Sequence, residues 1–248
     1  MESKGDSATS GRGERAIQPT RRSARVAGLL YLLMGIPAVF SLLYVPRALI
    51  VPGDATATAN NIRASEMLFR AGIVSELVFA TVFIFVIRAL YGLLKGVDKT
   101  QSSLMVTLGL VAVPVWFLNV LSEVAALTLM RGADFLSVFE KSQLDALAMV
   151  FLLMHRQGFG VAHVFSGLWL FPFGLLVMKS GFIPRILGVL LIVAGFGYLA
   201  GSLVSLLSPP YGNVVSGAAN VLTAAEFPII VWLVIVGARA QPLEAPAS

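Results

Sequence analysis

The 248-residue chain is 57% hydrophobic and 12% charged, carries a formal net charge of +5 and has no cysteine; its mean hydropathy is +0.87. Soluble domains hold about 25% charged residues and under half apolar ones, so a soluble globular domain, a disordered chain and a nucleic-acid-binding module are excluded as the main body. Without a thiol there can be no disulfide, thiolate metal site, iron–sulfur cluster or cysteine nucleophile.

Residues 1–25 are polar, Gly/Ser-rich and basic, with no apolar periodicity, and are predicted to form a disordered tail. Beyond them the charges delimit the apolar runs. A bilayer core of about 30 Å needs about 20 apolar helical residues. Arg25 to Arg47 encloses 21 uncharged residues. Arg70 to Lys95 encloses a run broken by Glu76 and Arg88, and Lys99 to Arg131 encloses 31 residues with Glu123 the single charge. Arg156 to Lys179 encloses 22 residues, and Arg185 to Arg239 encloses 53 with Glu226 as their only charge. The last stretch is divided by the turn signal Ser208-Pro209-Pro210-Tyr211-Gly212-Asn213. The expected fold is an all-α, six-helix transmembrane bundle. Its spans fall at about 26–45, 71–94, 103–130, 158–178, 186–207 and 217–238, within a membrane domain 26–238 and before a short tail, 239–248. Lipid supplies no hydrogen-bond partners, and no ten-residue alternation marks a β-barrel, so helix is the state these runs adopt.

Two connections contain short helices. After Val51-Pro52-Gly53, Asp54 is placed to cap a helix over 55–66. Ser142-Gln143-Leu144-Asp145 resembles a capping box for a second, which either lies at the interface or prolongs span four, with a bend at Arg156-Gln157-Gly158-Phe159-Gly160. Spans four and five are joined by a tight hairpin through Gly181 and Pro184. Lysine and arginine divide twelve against six between the two faces. The twelve-charge side, which holds both termini, is expected to be cytoplasmic, in a cell membrane.

Ionisable groups at membrane depth face the bundle interior. Glu76, Glu123, His163 and Glu226 each lie roughly 9–14 Å inward from the outer boundary, counted at about 1.5 Å per residue. Asn119 shares a face with Glu123, and Asn220 with Glu226, which makes Glu76, Asn119, Glu123, His163, Asn220 and Glu226 the candidate polar pocket. Two readings stand: a layer of interhelical hydrogen bonds between neutral groups, or a water-filled pocket for a small polar solute or cation. A metal-dependent intramembrane hydrolase is a third. No HExxH is present, His155 reads as an interfacial polar residue, and no catalytic residue, metal site or cofactor is assigned. The partner is the lipid bilayer, nucleic acid is not expected, and the oligomeric state is not legible. Gly160, Gly167 and Gly174 in span four, and Gly188, Gly195 and Ser202 in span five, read as packing seams.

Several segments together resemble one family. They are Ala24 to Tyr31; Val51-Pro52-Gly53-Asp54-Ala55 through Ala64 to Arg70; Gln157-Gly158-Phe159-Gly160; and Ser180-Gly181-Phe182-Ile183-Pro184-Arg185-Ile186-Leu187-Gly188. The chain is similar over residues 23–238 to the prokaryotic membrane proteins grouped as domain of unknown function 4386. The resemblance implies a multi-pass membrane protein and carries no activity or site residue with it. The leading expectation is a non-enzymatic integral membrane protein of unknown activity with a buried polar layer in the outer half of the bundle, and the alternative is a small-solute or ion transporter that uses this layer.

Overall fold

The computed structural model describes residues 21–207 and 212–238. The tail over 1–20, residues 208–211 of the turn signal and residues 239–248 lie outside them. Among the described residues there is no strand, and six helical units are long and apolar enough to cross a membrane, which makes the chain a multi-pass membrane protein. Span one is α1 (Arg21–Val39), a π-helical turn (Phe40–Tyr44) and α2 (Val45–Leu49). The short α3 (Ala55–Ala64) follows, then α4 (Glu66–Leu94) and α5 (Lys99–Arg131). Span four is α6 (Lys141–Leu168) with α7 (Leu170–Ser180), span five is α8 (Arg185–Leu207), and span six is α9 (Gly212–Thr223) with α10 (Phe227–Ile235).

Each span packs against its neighbours in chain order, and the sixth returns to the first. The result is a closed ring of helices. The closing seam is tight: a Cβ on Gly28 would lie 2.7 Å from Leu233 Cβ, and Arg25 Nη2 donates to the Ile235 carbonyl at 3.0 Å. The seam that α6 and α7 of span four form with α8 is equally close. Gly174 and Gly188 face each other's carbonyls, and Gly167 and Gly195 do the same one layer on. These are the glycine stripes expected as packing surfaces, because only a missing Cβ lets two helix backbones approach so far.

Local chemistry sets the element ends. Asp54 accepts from the Ala57 N–H at 2.8 Å and starts α3 as expected. Gly181 (φ 72°) ends α7 and Pro184 precedes α8, giving the expected hairpin. The second cap differs from expectation. The N-cap of α6 is Glu140, whose capping box is completed by Gln143, so the cap sits two residues before Ser142 and the helix starts at Lys141. Asp145 is instead fully buried and pairs with Arg63 of α3 and, at 3.5 Å, with Lys141.

Nor does span four bend at 156–160. Helix α6 runs through this segment and prolongs the span to 40 residues, Lys141–Ser180. Its glycines serve close approach: a Cβ on Gly158 would overlap the Asn119 side chain of α5, and one on Gly160 would sit 3.2 Å from Ser205 Oγ. The break falls at Trp169, because Pro172 has no N–H for the Leu168 carbonyl four residues back. Proline also shapes span one. Ser41 Oγ donates to the Pro37 carbonyl at 2.9 Å, and the Val45 N–H reaches Phe40 five residues back, widening the helix into its π turn.

Two apolar clusters fill the ring. One, around Phe83, Trp116, Trp169 and Phe173, occupies the centre and the end that carries the hairpin. The other, around Leu49, Ile62, Phe69, Val120 and Leu152, lies toward the end that carries α3.

Candidate functional site

Between these clusters α4, α5 and α6 bring polar groups together. Glu76 and Glu123 are 4% and 8% exposed. His155 Nε2 lies 3.2 Å from Glu76 Oε1 and 3.8 Å from Glu123 Oε1. One donor atom from each of the three falls within 4.8 Å of the others. Glu123 Oε2 is buried without a hydrogen-bond partner.

The backbone fixes how the imidazole is used. Asn119 Nδ2 donates to the His155 carbonyl at 2.9 Å, and His155 Nδ1 faces the Asn119 carbonyl at 3.3 Å. A carbonyl can only accept, so this pairing assigns the hydrogen of a neutral ring to Nδ1. The Nε2 lone pair then points at two carboxylates. Three acceptors facing one another are mutually repulsive unless a proton or a metal ion lies between them. Histidine metal ligands commonly donate their other ring N–H to a backbone carbonyl in this way. Two carboxylate oxygens and one imidazole nitrogen fit a first-row divalent cation, and three protein ligands leave coordination positions open. With both carboxylates ionised the centre carries two negative charges, which a dication cancels.

A cavity of about 540 Å³ adjoins the centre. It runs from Ile50, Pro52 and Gly53 at the end that carries α3 to Glu123, His155 and His163, with Arg156 on its wall. Its other walls are largely aliphatic, including Leu42, Leu49 and Leu152, and Ser41 of the π turn also lines it.

The six candidate pocket residues therefore divide. Glu76, Asn119 and Glu123 meet at one centre. His163 stands beside it, half-buried, with its ring 5.2 Å from Tyr198 and 6.2 Å from Phe159. Glu226 belongs to a separate group, in which Tyr31 and Tyr198 (3.0 Å) both donate to its carboxylate. The side chain of Asn220 lies outside the described residues. The expectation of an interfacial His155 rests on Arg156 marking the end of a span. Helix α6 instead passes through both, and the Arg156 side chain is exposed. The available signal was the i, i+4, i+8 face shared by His155, Phe159 and His163.

The chain belongs to the family described as domain of unknown function (DUF4386), whose model matches residues 26–237. Comparison with curated proteins and with solved structures finds no match.

Proposed function

We propose that this DUF4386 protein is a cation-binding membrane protein of the transporter class, in which Glu76, Glu123 and His155 exchange protons for a divalent cation reached through the adjoining cavity. The observation that carries this reading is the His155 Nε2 lone pair facing two buried carboxylates. Charge in a hydrocarbon environment must be compensated. Here protons or one dication meet that demand equally, so uptake of the metal is matched by release of protons.

The lysine and arginine balance supports a cell-membrane orientation with both termini in the cytoplasm, which puts α3 and the cavity mouth outside. Reporter fusions at each terminus and in the 132–140 connection check this orientation. An active cytoplasmic reporter in that connection sinks it.

The binding claim is tested by titrating purified protein with manganese(II) and following the free-ion paramagnetic resonance signal. The wild type is expected to remove one equivalent of signal per chain, and Glu123→Gln and His155→Ala to remove little. A wild type that leaves the signal untouched overturns the reading. Manganese-driven acidification outside proteoliposomes then tests exchange.

A second reading has its own support. The aliphatic cavity walls beside the same donor set suit the chain of an amphiphile, as a membrane-embedded metal-dependent hydrolase would need. Manganese binding without flux, together with cleavage of a fluorogenic acyl ester that Glu123→Gln abolishes, would favour it.

A further inference from the structure

A second chamber, of about 630 Å³, lies on the other side of Phe159 and His163 and opens between α1 and α10, where the exposed Leu32, Ile36, Val39 and Phe227 line it. Its deep wall is aromatic, and α1 adds aliphatic residues such as Met34 and Val39. Trp116 lies tilted at 4.8 Å from Phe79 and edge-on at 5.0 Å from Phe83, and Trp169 lies 5.1 Å from Phe83 and 6.2 Å from Tyr31. The carboxylate in the lining is Glu226, and the lining contains no lysine or arginine. Tyr31 and Tyr198 hydrogen-bond that carboxylate but bring no positive charge.

The backbone is broken at this point as well. Between α9 and α10 the chain forms a 3₁₀ turn, Ala224–Glu226, and Pro228 follows in the first turn of α10. Interrupted membrane helices recur where a ligand is held at membrane depth. In addition, the Trp116 indole N–H is buried without an acceptor although the residue lines the chamber.

We infer that this chamber binds an organic ammonium ion: an apolar amine whose charge pairs with Glu226 and whose substituents rest on the faces of Trp116, Trp169, Tyr31 and Tyr198. Aromatic faces attract cations, most strongly when water is excluded. The volume lies within the range of small-molecule pockets, about 300–1,000 Å³. A neutral ligand of the same shape makes no ion pair with the carboxylate, and an inorganic cation has no apolar substituents to lay on the aromatic walls. The inference is carried by residues other than the Glu76–Glu123–His155 centre and stands or falls independently of it.

The test uses the full chain in lipid nanodiscs, with benzyltrimethylammonium as the probe and neopentylbenzene as its uncharged isostere. Calorimetry is expected to show saturable binding of the ammonium ion and none of the isostere. Glu226→Gln should weaken binding roughly tenfold or more, and Trp116→Leu should weaken it several-fold. A variant-free readout accompanies this: dicyclohexylcarbodiimide labelling, located by mass spectrometry, is expected to fall at Glu226 when the ammonium ion is present and to be unchanged at Glu123. Absence of saturable binding, equal binding of the two probes, unchanged affinity in Glu226→Gln, or protection at Glu123 instead of Glu226 each overturns the proposal.

Discussion

Asn119 and Gly158 show how much a single residue decides here. Asn119 holds the His155 carbonyl with its side chain and faces the His155 ring with its backbone. Gly158, one turn along α6, leaves the space that the Asn119 amide fills. Gly158→Ala would ordinarily favour a helix by about 0.5–1 kcal/mol. At this position the added methyl displaces Asn119, and a net loss of about 1–3 kcal/mol is expected. Manganese affinity should fall with it, whereas Gly96→Ala, which meets open space, should leave both unchanged. Thermal melts in detergent and the resonance titration check the two together. Glu76, Asn119 and Glu123 were legible in the sequence because each interrupts an apolar run or shares a helical face with one that does. His155 was not: a charge beside it set the span boundary, yet an arginine inside a helix can carry its guanidinium away from its own backbone.

Short contacts between elements fasten the ends of the bundle. At one end Arg63 ties α3 to two neighbours, donating to the Met130 carbonyl of α5 at 2.7 Å and pairing with buried Asp145 of α6. Removing one partner of a buried pair leaves the other uncompensated. Asp145→Ala is therefore expected to cost about 2–4 kcal/mol, and limited proteolysis should then open the chain near α3. At the other end Asp98 caps α5. The Gln101 N–H at 3.0 Å, and after it the Lys179 ammonium at 2.9 Å, hold its carboxyl below the usual carboxylate range. A lowered folded-state pKa gives a contribution that is present above the unfolded value and is lost as pH falls through the folded one. The difference in melting temperature between wild type and Asp98→Asn should thus be seen near neutrality and vanish in acid. The Asp54 cap, the Gly181–Pro184 hairpin and the glycine seams could be read from local residue chemistry. The Glu140 cap could not, because Ser142 offered an equally good local pattern, and only the packing of Asp145 against Arg63 selects between them.

For the whole molecule, hydropathy and charge were enough to count six spans and to give an all-α bundle. They contain no term for which span lies beside which, so neither the closed ring nor its two chambers followed from them. The division of the polar residues has the same origin: Glu226 lies at a depth similar to that of Glu76 along the chain, but the ring places α9–α10 against α1 and α8. Gly28→Leu should disrupt the seam between α1 and α10, lowering the melting temperature and abolishing ammonium binding at the chamber that seam encloses. Manganese binding, which uses α4, α5 and α6, should suffer less.

Arg25 and Ile235, joined at that seam, stand 210 residues apart in the chain. Every other neighbouring pair of spans is consecutive, so it can associate as soon as its second member leaves the ribosome. The first span alone must wait for the last to be synthesised, with one flank facing lipid or a chaperone until then. Biogenesis should therefore end in one late closure event, and a nascent chain arrested before residue 212 should remain an open crescent, accessible to protease at its unsealed edge.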